Sequence, residues 1–135
     1  MGQVTDAPAP RFLLDSNICI YLLGGSDLER AMRVADKLAH YDPAEVTLSA
    51  VTVAEVFVGI QEQEAMDAAA SFFDQFTILP FDEECAKTYA GIPFKRASFD
   101  RLIAATALHH ELTIITNNEK DFSNVPGLKV ENWTS

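Results

Sequence analysis

The 135-residue chain reads as an α/β fold, with a mostly parallel central sheet of four to five strands and helices on both faces. Three observations predict it. Short apolar or β-branched runs alternate with longer segments of helical periodicity, the order that parallel sheets with crossover helices require. Those runs stop on polar or turn-forming residues, as strands do at a sheet edge. Finally, 48% of residues are hydrophobic and 22% charged, an ordinary globular balance at the size of one domain.

The elements follow in order. Residues 11–14, "RFLL", form a buried strand that ends on Asp15. Residues 16–23 form a helix that stops at Gly24-Gly25. Over residues 28–40, Leu28, Met32, Ala35, Leu38 and Ala39 recur at helical spacing, with Asp27 as N-cap. Asp42-Pro43 marks a turn. Residues 46–48 form a second strand, and 50–60, too long and apolar for a strand, a buried helix. A helix over 64–76 leads into a third strand over 77–79, stopped by Pro80. Asp82 caps a helix over 83–90 that ends at Gly91. Residues 99–111 set Phe99, Leu102, Ile103, Thr106 and Ala107 on one helical face. "TIIT" (113–116) is a β-branched strand and "LKV" (128–130) the last one. Residues 1–10 read as a loose, Pro-containing arm, and 11–135 as the folded domain.

The formal charge is −10, from 20 acids against 10 Lys and Arg. That argues against a free-standing nucleic-acid binder, which should be basic, and suits a chain whose partner is basic. Cys19 and Cys85 are isolated, so no CxxC metal or redox motif exists, and a reducing cytoplasm fits. No run approaches the ~18 apolar residues of a membrane span. The opening "MGQVTDAPAP" lacks the apolar region of a signal peptide.

In parallel sheets, ligands gather beyond the carboxyl ends of the strands. Four acids lie near that edge: Asp15 after the first strand, Glu55 in the helix after the second, Asp100 at the start of the long helix, and Asp121 after "TIIT". Each has a plainer role to weigh. Asp15 is a good helix N-cap, and Asp100 a helix-dipole partner. Asp121 alone is an ordinary loop acid. Glu55 completes a capping box in "TVAE", but the helix begins nearer Ser49, so the box falls a turn late. Glu55 is also the sole charge between Val46 and Ile60, which is costly unless the carboxylate is paired or bound. Together, four converging carboxylates repel one another, and a hard divalent cation removes that penalty. With no His or Cys near, zinc is disfavoured.

"LLDSN", "SAVTVAEVFVG", "FDRLIAATAL" and "TNNEKDFSNVPGLKVENW" resemble the successive motifs of PIN-domain ribonucleases, in particular the toxins of VapBC toxin–antitoxin systems. The resemblance runs from about Phe12 to Trp133 and implies a single PIN-like domain. It implies that Asp15, Glu55, Asp100 and Asp121 surround Mg²⁺ or Mn²⁺, supported by Ser16, Asn17, Thr116 and Asn117. It further implies a cytoplasmic endoribonuclease, a VapB-like antitoxin partner, a homodimer and a toxin–antitoxin hetero-oligomer. Two features depart from the pattern. Ser16 stands where Thr is usual, and "GIPFKRASFD" before Asp100 is short and basic.

The expected chemistry is metal-dependent hydrolysis of RNA, leaving 5′-phosphate and 3′-hydroxyl ends and inhibiting translation. Lys95, Arg96 and Arg101 around Asp100 are candidate phosphate contacts; a solvated basic turn explains them equally well. The apolar helices over 16–23 and 50–60 supply mostly core residues and, in part, a groove for an antitoxin tail. Two other classes compete. One is a non-catalytic acidic pocket for a basic peptide. The other is a phosphotransfer enzyme with Asp15 as acceptor, although Asn17 stands where a second Asp would be needed.

Overall fold

The computed structural model describes residues 8–93 and 98–135. Strand β1 (Phe12–Leu14) is three apolar residues, all buried. Phe12 and Leu14 enter one core and Leu13 the other, the alternation of a strand covered on both faces. Around it lie β2 (Val46–Ser49), β3 (Thr77–Leu79), β4 (Thr113–Ile115) and β5 (Lys129–Glu131), in the order β3-β2-β1-β4-β5. Every pairing is parallel. Leu13 sits opposite Thr47 of β2 and Ile114 of β4, so β1 is the centre of the sheet.

Helices α1 (Ser16–Leu22), α2 (Leu28–Leu38), α3 (Ala50–Val58) and α4 (Gln63–Phe73) supply Ile18, Val34, Val56 and Phe73 to the first core. Trp133 closes that core, stacked on Tyr41 with ring centroids 5.5 Å apart and edge-on to Phe12 at 4.9 Å. Helix α5 (Glu83–Ala90) and helix α6 (Phe99–His109) cover the other face, where Ile103, Ile114 and Phe122 are buried. No helix among the described residues is long and apolar enough to cross a membrane. Both cysteines are buried and free.

The strand order fixes where a site can form. From β1 the chain moves to β2 on one side; from β4 it moves to β5 on the other. The loops leaving β1 and β4 therefore diverge and open a crevice at their carboxyl ends.

Element ends differ from the sequence reading by up to three residues, where caps and turns decide them. The helix expected over 64–76 stops at Phe73, because Phe76 N–H turns back to the Phe73 carbonyl at 3.1 Å before β3 begins. Two side chains of α6 exchange places with their expectation. Phe99 is 46% exposed, whereas Arg101 is buried. The helix is buried all round from Ile103 to Ala107, so its apolar pattern does not single out a face for the first turn.

Asp27 and Asp82 cap α2 and α5 as expected, accepting from Arg30 N–H and Cys85 N–H. Ser49 caps α3 by accepting from Val51 N–H at 3.0 Å, which places Glu55 well inside the helix and outside any capping box. Ser49→Ala should cost about 1 kcal/mol. It should read as a lower urea midpoint with an unchanged m-value.

Candidate active site

Asp15 stands at the carboxyl end of β1, its N–H bonded to the Ile115 carbonyl of β4 at 2.9 Å. It is only 4% exposed. Its carboxylate accepts from Ser16 N–H at 2.8 Å and from Thr116 Oγ1 at 2.8 Å. The residue is thus the N-cap of α1 and, at the sheet edge, a candidate site acid. Burial raises its pKa; the Thr116 and Ser16 hydrogen bonds oppose that rise, and the nearby Glu55 charge adds to it.

Ser16 Oγ lies between two carboxylates, 3.4 Å from Asp15 Oδ1 and in a short contact with Glu55 Oε1. With one proton to give, it ties α1 to α3 through Glu55. Glu55 is half-buried on α3, Asp100 half-buried in the first turn of α6, and Asp121 exposed in the 3₁₀ turn Glu119–Asp121. Asp100 shows how close they lie. Its pKa is pushed up to about 6 by burial and by the charges of Asp15, Asp121 and Glu55, with Arg101 pulling the other way. One carboxyl group therefore feels the other three.

The polar residues at the strand ends form two adjacent hydrogen-bonded sets. Thr116 is fully buried, donates to Asp15 and accepts from Asn118 N–H at 3.1 Å. Asn17 Nδ2 donates to Asn117 Oδ1 at 3.3 Å, and Asn117 Nδ2 donates to the Tyr21 hydroxyl at 2.8 Å. Asn118 Nδ2 holds Asp121 at 2.7 Å. Tyr21 and Asn118 were missed in the sequence. Tyr21 lies four residues after Asn17, on the same face of α1, which is the signal that finds it.

Of the expected basic rim, only Arg101 falls among the described residues. Arg101 is 9% exposed, and its Nη1 is buried with no hydrogen-bond partner among the described residues. Lys95 and Arg96 lie outside the described residues.

The donors are carboxylates and hydroxyls, a hard oxygen set. Cys19 is close enough to feel Asp15, but burial and that charge drive its thiol pKa up, so it stays protonated and is no ligand. Among the described residues, no three Asp, Glu, His or Cys side chains form a ready-made cage. The acids share an electrostatic neighbourhood without a tight cluster. That spacing fits an ion that binds one or two carboxylates and meets the others through water.

The PIN domain profile matches residues 12–128. Ribonuclease VapC1 of Rickettsia felis is 31% identical, with 87% of this chain and 92% of that protein covered. The chain belongs to the PIN domain family, in its VapC branch. This VapC-type chain is also similar to the tRNA(fMet)-specific endonuclease VapC of Shigella flexneri, at 26% identity over 92% of this chain and 98% of that one. Among solved structures, the PIN fold described above resembles that of FitAcB from Neisseria gonorrhoeae. The TM-score is 0.74 and the identity 31%, covering 90% of this chain and 97% of that one.

Proposed function

We propose that the protein is a metal-dependent endoribonuclease, the toxin of a type II toxin–antitoxin system, with residues 11–135 as its nuclease domain and 1–10 as an arm. The observation that supports the chemistry is that burial and the charges of Asp15, Asp121 and Glu55 together push the Asp100 pKa up to about 6. Relatives named as VapC ribonucleases support RNA as the substrate.

Asp15 and Asp100 would hold a Mg²⁺ or Mn²⁺ ion. When bound, such an ion lowers the pKa of a coordinated water and offsets charge on the phosphate. Glu55, held by Ser16, and Asp121, held by Asn118, would orient water, and one of them would take a proton from the attacking molecule. The water oxygen bonds to phosphorus as the bond to the 3′ oxygen breaks. The products are a 5′-phosphate and a 3′-hydroxyl. Thr116 keeps Asp15 aimed, and Asn17 and Asn117 line the rim.

The partner reading has its own support. An apolar groove of about 320 Å³ runs between α1, α3 and α4, lined by Ile20, Leu23, Val56, Ile60 and Ala65, with Glu55 also on its wall. Of the two helices expected to supply it, α1 gives Ile20, 46% exposed, while Ile18 and Cys19 stay in the core. A VapB-like antitoxin tail laid in this groove would carry a basic side chain to the acids. Inhibition of translation in the cytoplasm, and assembly as a homodimer within the antitoxin complex, complete this reading.

The purified chain, given single-stranded RNA and Mg²⁺, should yield fragments with 5′-phosphate ends, read by their ligation to an adaptor. Fragments ending in 2′,3′-cyclic phosphate would overturn the hydrolytic reading. Peptide binding without cleavage would favour the non-catalytic module.

A further inference from the structure

We propose that Arg30, anchored on Tyr21, grips an RNA phosphate flanking the cleavage site. This rests on the ribonuclease reading and adds a cation to it. A chain of charge −10 needs a local positive group to receive a polyanion. Most described arginines are engaged elsewhere. Arg11 pairs with Glu45 and lies over the Phe12 and Tyr41 rings. Arg33 binds Glu29 and the Thr134 carbonyl, and Arg101 is buried.

Arg30 is wired to the site. Its Nη1 donates to the Tyr21 hydroxyl at 3.1 Å, and its guanidinium lies 5.9 Å from that ring's centroid. The same hydroxyl accepts from Asn117 at 2.8 Å. Asn117 follows Thr116, which donates to Asp15. Two side chains therefore connect the guanidinium to the end of β4, beside the first acid. A group separated from the acids by two side chains suits a flanking phosphate better than the scissile one.

The guanidinium is held at two points, Nη1 on Tyr21 and Nε 3.4 Å from Asp27 Oδ2. Asp27 is itself fixed as the cap of α2. Among the described residues no hydrogen bond takes up Nη2, and the side chain is 47% exposed. A guanidinium fixed through Nε and Nη1, with Nη2 left to donate, is preorganised for a single phosphate oxygen, at less entropic cost than a free surface lysine. Asp27 offsets part of the charge, so the contact is worth at most one phosphate.

The test is steady-state cleavage of a short single-stranded RNA by the full chain, over a series of salt concentrations. Arg30→Ala should raise KM about tenfold, the size of one charged hydrogen bond. It should leave kcat within about twofold, because a flanking contact does not touch the reacting bond. The slope of log KM against log salt should fall by about 0.7, as for one lost single-strand phosphate contact. Arg30→Gln, which keeps an aliphatic stem and a polar end but loses the charge, should match it even if the alanine variant folds poorly. Arg30→Lys should restore the slope but not all of the KM. A wild-type KM and slope in Arg30→Ala and Arg30→Gln would overturn this proposal alone, and so would a fall in kcat at constant KM. Failure of the unmodified chain to cut any RNA with Mg²⁺ or Mn²⁺ would take down the ribonuclease reading itself.

Discussion

Asp15→Asn is expected to lower RNA cleavage by at least ~100-fold, as deletion of a group that binds the reacting centre does in other enzymes. The loss should equal that produced by EDTA on the unmodified chain. It should not come from unfolding. The carbonyl of the substituted side chain would keep the Ser16 N–H bond, and its amide would face Thr116 Oγ1, a hydroxyl that can turn from donor to acceptor. The substitution also deletes a buried charge that repels Glu55 and Asp100. Urea unfolding in EDTA should therefore show the variant as stable as the parent chain, or more so. Gel assays with Mg²⁺ would show the loss. Full metal-dependent cleavage by Asp15→Asn would remove Asp15 from the site, and with it the assignment of the crevice.

The double role of Asp15 explains why part of this site was legible in the sequence. "FLL" must be buried on both faces, so the next residue must surface at the carboxyl edge. Asp there caps α1 and faces the site in one geometry. Glu55 was legible because its helix is apolar and its cap is Ser49. Thr116 was legible because a strand of β-branched residues ends on it, flush with Asp15. Arg101 was not. A charged residue in a first turn reads as exposed, yet tertiary packing against the sheet buried it and left Phe99 outside. Position on a helix that is apolar all round carries no facing information. Arg30 was also invisible, because its link to the site runs through Tyr21 and Asn117, residues far apart in the chain and joined only by the contact of α1 with the end of β4. The short edge strand β5 shifted by one residue for a related reason: Lys129 and Glu131 are exposed, so burial does not mark its ends.

Asp100 is expected to make metal binding steeply dependent on pH near 6. In the metal-free chain its carboxyl is raised to about 6 from an ordinary carboxylate value by burial and three acidic neighbours. The raised value means that the folded chain holds this proton more tightly than the unfolded one. The stabilisation that it brings is complete below the ordinary carboxylate range and is lost as pH rises through about 6. A divalent cation competes for the same oxygen. Its apparent affinity should fall about tenfold for each pH unit below that value, since one proton must leave for each ion bound. Above it, the ion should stabilise the chain by relieving the repulsion that raised the pKa. Mn²⁺ titrations from about pH 5 to about pH 8 would measure the first effect, and thermal melts with Mn²⁺ compared with melts in EDTA the second. Asp100→Asn carries no such proton. It should make both profiles shallower, with Asp15, whose pKa is also raised by burial, supplying what slope remains, and leave the metal-free chain more stable than its parent above about pH 6. His110, whose pKa is lowered by burial and by His109, makes the chain less stable as pH falls, the opposite direction, and is untouched by this substitution. If the Asp100→Asn profiles superimpose on those of the parent, Asp100 does not share the ion, and the four-acid arrangement loses the member that feels all the others.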